Sequence, residues 1–97
     1  MTAEKAPRAY RTAAELAEEL DIPLSQIRHW AGLFPDIRPT INPGGRRHYS
    51  PRDVEMFQGI RHLMHDAGMT SKGVLSVIEQ KGADFVRALG RGEASLF

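Results

Sequence analysis

The chain has 97 residues, 41% of them hydrophobic and 26% charged, with a formal net charge of +1, which suits one small globular domain that depends on good packing. It contains no cysteine, so a disulfide framework, a thiolate metal site and a thiol nucleophile are all excluded. No apolar run approaches the ~18 residues of a membrane span, and the opening "MTAEKAPRAY" lacks the apolar stretch of a secretory signal, so a cytoplasmic, nucleoid-associated location is expected.

Residues 1–11 read as a flexible lead-in. A helix is expected to start at "TAAE", because Thr12 can cap it and Glu15 stands three residues later to complete a capping box. Leu16, Ala17 and Leu20 supply its apolar stripe. Pro23 disfavours helical backbone at Ile22 and favours a new start. A second helix is predicted over Leu24 to Leu33, with Ile27, Trp30 and Phe34 inward and Ser25, Gln26, Arg28 and His29 on other faces. Two short helices joined by a tight turn form a helix-turn-helix pattern, whose second helix can lie in a DNA major groove.

The next stretch, "FPDIRPTINPGGRRHYSP", is rich in proline and glycine and is not helical. "DIRPTI" and "RRHY" flank Asn42-Pro43-Gly44-Gly45 and read as a two-stranded hairpin. Charge is segregated here. No acid lies between Asp36 and Asp53, whereas Arg38, Arg46, Arg47 and Arg52 all fall in that window. One basic stretch in a near-neutral chain points to a local anionic partner.

Ser50-Pro51-Arg52-Asp53 is a helix start, with a capping serine, proline at the first position and an acid in the first turn. The third helix is expected to turn Val54, Phe57, Ile60, Met64 and Ala67 inward and to stop at Gly68. A fourth starts at Thr70 or Ser71, with Val74, Leu75 and Ile78 inside, and ends near Gly82; "ADFVRAL" can form a fifth. The predicted fold is mainly α, a winged helix-turn-helix with a small two-stranded β-hairpin wing and four to five helices.

"YRTAAELAEELDIPLSQIRHW" and "RPTINPGGRRHYSPRDVEMFQGIRHLMHDAGMTSKGVLSVI" resemble the DNA-binding domain of the MerR family of bacterial transcription regulators. The landmarks are the Arg28 and Trp30 pair, the glycine before the wing arginine, the tyrosine before the third helix, and the Gly-x-Thr between the last two helices. The resemblance runs from about Tyr10 to Gly82. It divides the chain into a lead (1–11), the winged domain (12–82) and a short helical or flexible tail (83–97), with a truncated dimerisation helix as the tail's alternative reading. Two departures stand out. Ala31 occupies a position that is acidic in many relatives. Relatives also continue into a long antiparallel pairing helix and an effector domain, whereas this chain ends about where that helix should lengthen.

The resemblance implies sequence-specific binding of double-stranded DNA and regulation of transcription, with a second copy of the chain and RNA polymerase at a promoter as further candidate partners. The candidate DNA-binding residues are Thr12, Ser25, Gln26, Arg28, His29, Gly45, Arg46, Arg47 and Tyr49. Arg46 and Arg47 suit phosphate oxygens through paired, charge-assisted hydrogen bonds, and Gly45 permits close approach. Gln26 can pair with adenine and Arg28 with guanine or phosphate. Tyr49 matches the family tyrosine, whose hydroxyl can add a phosphate contact while its ring packs. Plainer roles compete: a solvated hairpin edge for the arginines, and a helix cap or a pairing with Asp36 for Arg28. Trp30 and Phe34 are read as core.

His62, His65 and Asp66 lie close together on one predicted helix, but a metal site needs further ligands, so no metal or cofactor is expected. No nucleophile, base and orienting group stand out together, and no enzyme activity is expected. Two alternatives remain open: an excisionase-like or architectural DNA binder, and a protein-interaction module that docks partners through an exposed Met56, Met69 and the "ADFVRALGRGEASLF" tail.

Overall fold

The computed structural model describes residues 10–94. The chain divides between Val54 and Glu55 into two compact units.

In the first unit, helix α1 spans Ala13–Leu20 and helix α2 spans Leu24–Leu33. Thr12 Oγ1 accepts from the Glu15 amide at 3.2 Å and Glu15 Oε1 accepts from the Thr12 amide at 2.9 Å, the reciprocal cap read from the sequence. The helix ends at Asp21, which takes a left-handed conformation (φ 56, ψ 48) and donates its amide to the Ala17 and Glu18 carbonyls. Short polar side chains such as aspartate tolerate that conformation, and the turn leads directly through Pro23 into α2. Leu16, Leu20, Ile22, Ile27, Trp30, Phe34, Ile37 and Tyr49 are buried. Trp30, on the inner face of α2, and Phe34, just past its end, are wholly inaccessible.

The wing differs from the expected two-stranded hairpin. Strands β1 (Arg11–Thr12), β2 (Thr40–Ile41) and β3 (Arg47–Tyr49) form one antiparallel sheet in the order β1-β3-β2. Thr12 and Thr40 both pair with His48, Arg11 pairs with Tyr49 and Ile41 with Arg47. The last residue of the expected lead-in, Arg11, is therefore a strand residue. The rest of the expected lead-in, before Tyr10, lies outside the described residues.

In helix α3 (Pro51–Arg61) the backbone passes from the first unit into the second, and it continues as a π-helical turn, His62–Asp66. In the second unit helix α4 (Ser71–Lys81) starts at Thr70, whose hydroxyl accepts from the Gly73 amide at 3.1 Å. Helix α5 spans Ala83–Gly90. Met56, Phe57, Ile60, Leu63, Val74, Val86 and Leu89 are buried. Several expectations fail here. Met56 is wholly inaccessible rather than exposed for docking, and the tail's Val86 and Leu89 are core. Val54, Met64, Leu75 and Ile78 are half-buried and Ala67 is exposed. At the end of this helix the π turn is the cause: the Ala67 amide reaches back to the His62 carbonyl at 3.1 Å, an i→i+5 bond that takes Ala67 off the α-helical phase.

Helices α3 and α5 meet through glycine. A side chain on Gly59 would overlap the Val86 carbonyl, and one on Gly90 would overlap the Glu55 carbonyl. Arg91 closes the same crossing by pairing with Glu55 at 3.0 Å and with Glu93 at 2.9 Å.

Candidate nucleic-acid interface

The start of α1, the first turns of α2 and the wing surround an open concavity of about 550 Å³. Thr12, Ala13 and Ala14 line it from α1, Leu24 and Arg28 from α2, and Gly45, Arg46, Arg47 and Tyr49 from the wing. Most of the predicted residues are thus brought together, although Arg28 and Arg47 are far apart in sequence. Ser25, Gln26 and His29 do not line the concavity. Ser25 and His29 are exposed and Gln26 is half-buried, all three on the surface of α2.

The concavity is electropositive. Arg28, Arg46 and Arg47 contribute three guanidinium groups, and its lining includes no acidic side chain. The amino end of α1, with the positive end of the helix dipole, faces the same space. Among the described residues no ion pair neutralises these three arginines. The pairing of Arg28 with Asp36 weighed from the sequence is accordingly not formed. Arg11 behaves differently: its Nε is held by Glu19 at 2.6 Å, so its charge is already engaged.

Tyr49 is wholly buried. Burial pushes its phenol above the ordinary value of 10.0, while the Arg47 guanidinium opposes that shift through its charge and a side-chain hydrogen bond. The phenol thus stays neutral at physiological pH.

Two residues already read from the sequence as turn and cap also hold the wing, a role the sequence did not show. Asn42 Oδ1 accepts from the amides of Gly44 and Arg46, each at 3.0 Å, while the Asn42 and Gly45 backbones close the turn. Gly45 has φ +85, a conformation that only glycine adopts readily. Asparagine ahead of Pro-Gly-Gly is the available signal, since its side chain commonly mimics a backbone turn. Asp53 is the other, and its signal is the Ser50-x-x-Asp53 spacing.

Among the described residues no group of three or more His, Cys, Asp and Glu side chains could hold a metal ion. His62 Nδ1 instead lies 2.9 Å from Asp66 Oδ2 across the π turn. No helix among the described residues is long and apolar enough to cross a membrane.

Comparison with the curated proteins finds no match. Residues 11–81, most of the chain, match the family described as MerR HTH family regulatory protein, a family of DNA-binding transcription regulators rather than enzymes. The helix-turn-helix of α1 and α2, the arginine-bearing wing beside it and the extent of this match lead to one assignment: the chain belongs to the MerR family of helix-turn-helix regulatory proteins.

Proposed function

We propose that this chain regulates transcription by binding double-stranded DNA in a sequence-specific manner, with α2 in the major groove and the wing on the phosphate backbone. The observation that carries the reading is the convergence of Arg28, Arg46 and Arg47, without a neutralising acid, on one concavity beside the amino end of α1. Arg46 and Arg47 take phosphate oxygens, Gly45 lets the wing backbone approach, and Thr12 contacts backbone from the start of α1. Ser25, Gln26, Arg28 and His29 face base edges. One copy reads one half-site, so a homodimer on a two-fold operator, working with RNA polymerase at the promoter, completes the proposal.

The test is a fluorescence anisotropy titration of a mixed genomic-sequence duplex over a range of salt concentrations, comparing wild type with Arg47→Ala. Binding is expected to weaken steeply with salt. The variant is expected to bind about tenfold more weakly, with a slope shallower by about one. Unchanged affinity and slope in Arg47→Ala would remove the wing from the interface. If wild type fails to bind at the lowest salt but a fused dimer binds, dimerisation is the missing requirement; if neither binds, the DNA reading falls.

A further inference from the structure

We propose that Asp53, which does not line the concavity, is the positioning residue that sets the pitch of the wing and so carries wing–phosphate affinity without touching DNA. This rests on the wing–phosphate contact proposed above.

Asp53 is a carboxylate only 5% exposed, and burying such a group is costly unless its oxygens are satisfied. Its two oxygens do different things. Oδ2 accepts from the Ser50 amide at 3.2 Å while Ser50 Oγ accepts from the Asp53 amide at 3.2 Å, which caps α3. That cap needs only one oxygen. Oδ1 instead accepts from the Arg38 amide at 3.1 Å, fifteen residues upstream. Arg38 leads into β2 and Ser50 follows β3, so both stems of the wing are fastened to one side chain at the first turn of α3.

The other restraints on the β2 stem are its short ladder to β3 and the buried Ile37 that precedes it. β2 has two residues, both exposed, and Ile41 is 61% accessible; strands this short have little stability of their own. Asn42 makes the tip rigid but does not aim it. Pitch is decided at the base, where charge-assisted bonds to Asp53 hold the stems. Arg46 and Arg47 lie at the far end of that lever, and guanidinium–phosphate bonding is strict in geometry.

Two variants separate the clamp from the cap. Asp53→Asn keeps the shape and loses the charge. Asp53→Glu keeps a residue favoured in capping boxes but moves the carboxylate relative to Arg38. Each is titrated with the labelled genomic duplex, alone and combined with Arg46→Ala/Arg47→Ala. Each is expected to bind about tenfold more weakly alone and to change affinity by less than about twofold once the wing arginines are gone, the non-additivity of residues acting through one another. Equal losses on both backgrounds, or wild-type binding by both variants, would overturn the proposal. If Arg46→Ala/Arg47→Ala itself binds like wild type, the underlying wing reading is what fails.

Amide exchange without DNA gives an independent readout. The Asn42 amide, bonded to the Arg46 carbonyl in the wing, is expected to exchange about tenfold faster in both variants. The Phe34 amide, bonded to the Trp30 carbonyl at the end of α2, is expected to keep its protection. Equal acceleration at both amides would mean that Asp53 only stabilises the fold, and no acceleration at Asn42 would mean that it does not hold the wing.

Discussion

Thr12 pairs with His48 across the β1–β3 ladder, and its hydroxyl caps α1 at Glu15. One residue therefore couples the wing to the helix-turn-helix. Strand pairing fixes its backbone as extended (φ −76, ψ 165), which is the conformation an amino-terminal cap needs. Replacing Thr12 by Ala leaves the strand pairing possible but removes the acceptor for the Glu15 amide. Thr12→Ala is expected to lose about 1 kcal/mol of stability in urea unfolding, with a weaker DNA complex as the accompanying change.

Arg28 and Arg46 share the concavity but belong to different elements, and their variants should fail differently. Arg46→Ala is expected to weaken binding about equally for all duplexes and to lower the salt slope by about one. Arg28→Ala and Gln26→Ala are expected to lose about 1–3 kcal/mol of discrimination between a selected site and its single-base variants. Competition titrations with such a duplex panel check this; equal losses on every duplex would move Arg28 and Gln26 from base reading to backbone contact.

Gly59 and Gly32 make a matched pair in opposite surroundings. A Cβ on Gly59 would strike the backbone of Val86, whereas one on Gly32 would meet nothing within 4 Å. Gly59→Ala must push α3 and α5 apart and is expected to cost about 1–3 kcal/mol. Gly32→Ala, in helical backbone of α2, is expected to gain about 0.5–1 kcal/mol by restricting the unfolded chain. Urea midpoints of the two variants give both values directly.

Tyr49 links stability to alkaline pH. Burial raises its pKa above the ordinary 10.0, so the folded protein holds the phenolic proton more tightly than the unfolded chain does. That contribution is complete below the unfolded value and is lost as pH rises through the folded one. Wild type is therefore expected to lose stability above about pH 10 more steeply than Tyr49→Phe. Denaturant unfolding of both proteins at neutral and alkaline pH tests the difference; parallel curves would refute it.

Local chemistry was legible in the sequence wherever its partners stand within about four residues of one another. The Thr12–Glu15 cap, the α2 boundaries, the stop at Gly68 with its φ of +72, and the start of α3 at Pro51 depend on such short-range bonds. The arginines of the wing were visible too, because their charge is undiluted by acids between Asp36 and Asp53. The inner face of α3 was only partly legible. Phe57 and Ile60 follow the expected spacing and Leu63 rather than Met64 continues it into the core, while the i→i+5 bond that follows leaves no periodic trace in so short a segment.

The sequence by itself determined the order of the elements, their caps and the basic wing, since those follow from side chains acting on nearby backbone. Tertiary structure alone decided that Arg11–Thr12 joins the sheet, that Arg28 meets the wing arginines in one concavity, and that Asp53 reaches back to Arg38. A two-residue strand has no hydrophobic period to reveal it. A carboxylate with a second oxygen to spare shows its distant partner only after the chain has folded back across fifteen residues.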